Sequence, residues 1–159
     1  MSGDEAFIEP TDVDLKDIAD QVWASYLDPD GVAPLELADG PPGAFDAHAS
    51  ISITGPWHGH VVVACSRGAG TAAAAAFLDQ PPEDIGEDDL ADTLGELVNI
   101  IGGNVKSMLP PGCLLALPQV VLGAGAVTRL PGATRICELA GAWQGEPVSI
   151  SMWHEKREG

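Results

Sequence analysis

The sequence predicts an α+β fold: a mainly antiparallel sheet packed against a helical layer with one long central helix, in the order α-β-β-α-α-β-β-β. Three observations carry that expectation. Residues 48 to 54 and 147 to 153 alternate apolar and polar side chains, the period of strands buried on one face. Residues 12 to 26 and 89 to 110 instead repeat their apolar positions every three to four residues, as a one-sided helix does. Short links rich in Gly and Pro join neighbouring strands, which favours hairpins and antiparallel pairing.

Taken in order, residues 1–11 read as a flexible acidic lead, 12–155 as one domain and 156–159 as a frayed tail. The first helix starts at Thr11 or Asp12, both good N-caps, and carries Val13, Leu15, Ile18, Ala19, Val22, Trp23 and Tyr26 on its apolar face. Asp28-Pro29-Asp30-Gly31 stops it with turn chemistry. Val32 to Ala44 reads as an irregular connection with room for a short edge strand at Pro34 to Leu37. His48 to Thr54 follows, with Ala49, Ile51 and Ile53 on the buried side, and returns through the Gly55 to Gly59 turn as His60 to Ser66.

Ser66 can cap a second helix through Thr71 to Leu78, where the alanine run has high helix propensity. After the central helix, Cys113 to Leu122 is apolar enough for a strand, with Pro118 calling for an edge position or a bulge. A loop bracketed by Gly123 and Gly132 leads to strands at Thr134 to Trp143 and Pro147 to Trp153, with Gly145 at the turn between them.

Composition narrows the function. The formal net charge of −17 argues against nucleic acid or an anionic membrane as partner, since both require cationic surface. The acidity belongs to the first two thirds of the chain; from Leu97 onward the acids Glu138, Glu146, Glu155 and Glu158 face five bases. Three widely spaced cysteines, Cys65, Cys113 and Cys137, supply neither a disulfide framework nor a zinc ribbon. The first and last of these read as core residues and Cys113 as the exposed one. MSGDEAF lacks the basic and apolar regions of a secretory signal, and no apolar run is long enough to span a bilayer, so the expected location is cytoplasmic.

The central stretch DLADTLGELVNIIGGNVKSMLP, Asp89 to Pro110, opens on acidic residues and closes on prolines. At about 100° per residue, Leu90, Leu94, Leu97, Val98, Ile101, Val105 and Met108 share one apolar face. Asp92, Glu96, Asn99 and Gly103 lie on the other side, with Glu96 and Asn99 neighbours at i,i+3 and Ile100 between the two faces. Gly95, Gly102 and Gly103 each cost about 0.5 to 1 kcal/mol in a helix interior. Close approach of the backbone to a partner surface is one reason to retain them. A solvated acidic face with tolerated glycines is the plainer account of the same residues.

The run Glu96-Leu97-Val98-Asn99, followed by Ile100-Ile101-Gly102-Gly103-Asn104-Val105-Lys106 and Leu109-Pro110, resembles the E-x-x-N helix of the CheC/CheX/FliY family. That family contains phosphatases of response regulators phosphorylated on aspartate. The first helix offers only Asp17-Ile18-Ala19-Asp20 and Asp20-Gln21-Val22-Trp23, which do not repeat the motif, so the chain resembles the single-site CheX-like members. The resemblance implies that Asn99 orients the attacking water and that Glu96 contacts a lysine of a phosphorylated CheY-like receiver. Asp92, Ile100 and Gly103 are then candidate partner-binding residues. It further implies a Mg²⁺ held in the partner's acidic pocket, no cofactor bound by this chain, and a homodimer joined through a continuous sheet. A receiver-binding or structural module without turnover is the alternative.

Elsewhere the chemistry is sparse. His58-x-His60, with His48 across the hairpin, lacks the third ligand of a recognisable metal spacing. Gly68-Ala69-Gly70 and Gly123-Ala124-Gly125 do not match a phosphate-binding loop and read as turns.

Overall fold

The alternation in residues 47 to 54 governs the architecture, because it gives one strand an apolar side that has to be covered. The computed structural model describes residues 8–38, 45–123 and 130–155. Its strands are β1 (Glu36–Leu37), β2 (Ala47–Thr54), β3 (Gly59–Cys65), β4 (Leu114–Leu115), β5 (Gln119–Leu122), β6 (Ala133–Trp143) and β7 (Glu146–Glu155). They form one sheet in the order β1-β6-β7-β3-β2, with β4 and β5 both along the far side of β2. Every pairing is antiparallel.

The register turns the alternation into a surface. Ala49, Val63, Ile150 and Leu139 are successive partners across four strands, and Ile51, Val61, Met152 and Cys137 form the next row. All eight are buried, so the rows make a continuous apolar face. The β6–β7 hairpin closes on Gln144 and Gly145, both at positive φ (52° and 81°), as a two-residue type I′ turn demands.

Three helices, α1 (Asp12–Val22), α2 (Arg67–Leu78) and α3 (Glu87–Lys106), lie on that face. Thr11 caps α1 in a reciprocal box with Asp14, whose Oδ2 accepts the Thr11 N–H at 2.9 Å. The helix widens into a π-helical turn over Trp23–Leu27, closed by the Asp28 N–H on the Trp23 carbonyl. That turn brings Leu27 into the core and leaves Tyr26 exposed, contrary to the uniform helical period, and Val13 is exposed as well. Trp23 packs edge-on against Trp143 at 5.8 Å and ties this end of the helical layer to β6.

The Ser66 hydroxyl accepts the Ala69 N–H at 3.1 Å and caps α2, so Gly68-Ala69-Gly70 is the first turn of a helix and not a loop. A Cβ on Gly70 would sit 2.5 Å from Leu90 Cδ1, which explains the glycine: α2 and α3 meet there. α3 starts two residues before Asp89, whose carboxylate accepts the Gly86 N–H at 3.1 Å. Glu87, Asp88 and Asp89 at its start and Lys106 at its end complement the helix dipole.

Two expectations for this region are corrected. The helix ends at Lys106, so Met108 falls in the following turn and is 37% exposed, while Leu109 takes the buried place. Cys113 is buried, its thiol directed at the Trp57 carbonyl, because the Trp57 turn folds over it.

Within the expected lead, the Glu9 carboxylate accepts a hydrogen bond from Trp57 Nε1 at 2.8 Å and lies 2.9 Å from His154 Nδ1. Residues 1–7 of that lead, 39–44 of the irregular connection, 124–129 of the Gly-rich loop and the tail 156–159 lie outside the described residues.

Candidate active site

α3 buries Leu90, Leu94, Leu97, Val98, Ile101 and Val105 against the sheet and its neighbouring helices. Its apolar stripe fixes the helix in rotation, so the opposite side is presented to solvent with the same precision. Asp92, Glu96 and Asn99 are exposed on successive turns there. Among the described residues neither Glu96 nor Asn99 takes a hydrogen-bond or ion-pair partner. Gly103 continues the line and is half-buried, and Ile100 is half-buried against the core. Asn104 turns inward along the helix, donating from Nδ2 to the Ile100 carbonyl at 2.9 Å.

The three glycines of α3 have separate reasons. A Cβ on Gly102 would lie 2.9 Å from Ile51 Cγ2, so this residue lets the helix sit close on β2. At Gly102 the close approach is to the chain's own β2. A Cβ on Gly95 would lie in ordinary contact with Val120 and Pro118, and one on Gly103 would meet nothing within 4 Å.

A groove of about 600 Å³ runs beside the exposed pair. Asp92, Gly95, Glu96 and Asn99 form its helical side, and Leu115 to Pro118 with Val120 form the other. The second wall exists because the expected strand from Cys113 to Leu122 is broken. Ile53 pairs with Leu115 and Ser50 with Gln119, so Ser52 and Ile51 stand opposite Ala116, Leu117 and Pro118. That is one residue too many, a bulge at a proline that cannot donate to the ladder. It thrusts Leu117 outward to 86% exposure. Pro118 was the signal of irregularity in the sequence; nothing local showed that the bulge would stand beside Glu96 and Asn99.

Other candidates dissolve into structural roles. His60 accepts or donates at 3.2 Å with the Ser52 hydroxyl and faces Glu155 at 3.5 Å. Among the described residues no group of three or more His, Cys, Asp or Glu is placed to hold a metal ion. Burial pushes the Cys65 and Cys137 thiols up to about 12, which leaves no thiolate for nucleophilic chemistry at neutral pH. Trp57 and Trp143 are core residues and Trp153 is half-buried.

The site is thus an acid and an amide exposed one turn apart on α3, beside an open groove and over an antiparallel sheet. The family model for the chemotaxis phosphatase CheX matches residues 47–140, and the chain belongs to that family, as a CheX-like member of the CheC/CheX/FliY group. Solved structures share the fold. CheX from Vibrio vulnificus superposes with a TM-score of 0.73 at 21% identity, covering 95% of this chain and 99% of that one. A CheX–CheY–BeF3–Mg²⁺ complex from Borrelia burgdorferi gives 0.70 at 18% identity, covering 91% and 97%. A CheC-like superfamily protein from a Shewanella species gives 0.71 at 20% identity, covering 91% and 96%. No curated protein matches the sequence. Among the described residues no helix is long and apolar enough to cross a membrane.

Proposed function

We propose that this chain hydrolyses the aspartyl phosphate of a CheY-like response regulator, with Asn99 orienting the attacking water and Glu96 gripping a lysine of the receiver. The exposure of both side chains on one face of α3, unengaged among the described residues, carries the proposal. Membership of a chemotaxis phosphatase family and the fold shared with a CheX solved in complex with CheY support the choice of partner.

An aspartyl phosphate is a mixed anhydride with a good leaving group, so its hydrolysis needs one water held in line with the phosphorus more than it needs a strong base. An amide suits that task. The Asn99 carbonyl oxygen accepts from the water while its NH2 remains free to donate to a phosphoryl oxygen. A carboxylate in the same place would repel the phosphoryl anion. Glu96, one turn earlier, meets a cation instead and sets the helix in register over the pocket. The receiver's own carboxylates hold the Mg²⁺ that neutralises the phosphoryl oxygens, and this chain supplies no ligand to it. The water oxygen bonds to phosphorus, the aspartate carboxylate leaves, and inorganic phosphate departs.

The protein acts in the cytoplasm as a homodimer in this reading, the latter tested by light scattering of the purified chain. Catalysis is tested by phosphorylating the receiver domains of the source genome with acetyl phosphate and following phosphate release. Acceleration lost in Asn99→Ala is the expected result, and a variant as fast as the parent defeats the assignment. Receiver binding without any acceleration would make the chain a non-catalytic signalling module.

A further inference from the structure

We propose that the bulged segment Ala116-Leu117-Pro118 is an apolar lip on which the receiver seats an uncharged side chain while its cation meets Glu96. The proposal rests on the phosphatase reading and makes Leu117 a specificity-determining residue for it. Single exposed leucines are ordinary on protein surfaces. Leu117 differs in where it stands: 86% exposed, on a bulge, in the wall of the groove whose other wall carries Asp92, Glu96 and Asn99. Leu114, 64% exposed, is the useful contrast, since it lies on β4 next to Leu115 with its side chain toward the opposite face and does not line the groove.

Charge selects the occupant. One wall is acidic and the other apolar, so the segment that fills the groove presents a cation with an apolar neighbour. A second copy laying the same groove against this one would set Asp92 and Glu96 against their own counterparts, acid against acid. A receiver that already offers a lysine to Glu96 needs only one adjacent apolar residue to complete the match. The bulge is anchored on β2 through the Ala116 N–H to the Ser52 carbonyl at 2.9 Å, the same strand on which α3 packs through Gly102 and Ile51.

Phosphate release is measured against receiver concentration for the parent chain, Leu117→Ser, Leu117→Met and Leu114→Ser, each confirmed as folded by its thermal melt. Leu117→Ser is expected to raise KM about tenfold with kcat unchanged, as loss of one buried leucine contact would do, whereas Leu117→Met and Leu114→Ser keep the parent KM. A Leu117→Ser protein with the parent KM, or a Leu114→Ser protein impaired equally, overturns the lip and leaves the phosphatase reading standing. No acceleration by the parent with any receiver overturns the phosphatase reading and the lip with it.

Discussion

The two faces of α3 are written in the same twenty residues, and they obey different rules. On the inner face Leu90, Leu94, Val98, Ile101 and Val105 are each at most 1% exposed, and each side chain is held by neighbours from the sheet or from another helix. On the outer face Asp92, Glu96 and Asn99 contribute little to holding the helix in place. The inner face determines where the outer one points. Adjacent glycines show the boundary: Gly102 is pressed onto Ile51, and Gly103 faces open space.

Substitutions should separate the two faces. Leu94→Ala, a truncation in a filled core, is expected to cost about 2 to 5 kcal/mol of stability in a denaturant titration. Asn99→Ala should do the reverse. It is expected to lower kcat about 100-fold, roughly 2.7 kcal/mol of barrier, with stability unchanged to within about 0.5 kcal/mol; a destabilised protein would mean that Asn99 belongs to the packing. Glu96→Gln is expected to raise KM for the phosphorylated receiver about tenfold and to flatten its dependence on ionic strength, since the contact it removes is a screened ion pair. The smallest effects come from the glycines. Gly103→Ala should stabilise by about 0.5 to 1 kcal/mol through helix propensity, and Gly102→Ala should destabilise by about 1 kcal/mol because the new methyl meets a β-branched side chain that cannot withdraw. Equal responses at the two positions would erase the boundary.

Much of this was legible before any coordinates. The inner residues of α3 through Val105, the buried side of β2, the caps at Thr11 and Ser66 and the Gly145 turn all follow from local periodicity or local hydrogen bonding. The failures share a cause. Extending the helical period past Lys106 puts Met108 on the apolar face although the helix has ended, and local sequence leaves Cys113 exposed although Trp57 covers it in space. The π-helical turn at Trp23–Leu27 lies where an unbroken period would have put Tyr26 inside.

The sequence by itself determined which side of each helix and strand is apolar, and with it the outward position of Glu96 and Asn99, because periods of 2 and 3.6 residues are properties of the chain next to itself. Only the tertiary structure decided that Leu117 stands across a groove from them. That depends on β2 pairing with β4 and β5 from far along the chain and on counting three residues against two, a mismatch that exists only once the strands lie side by side.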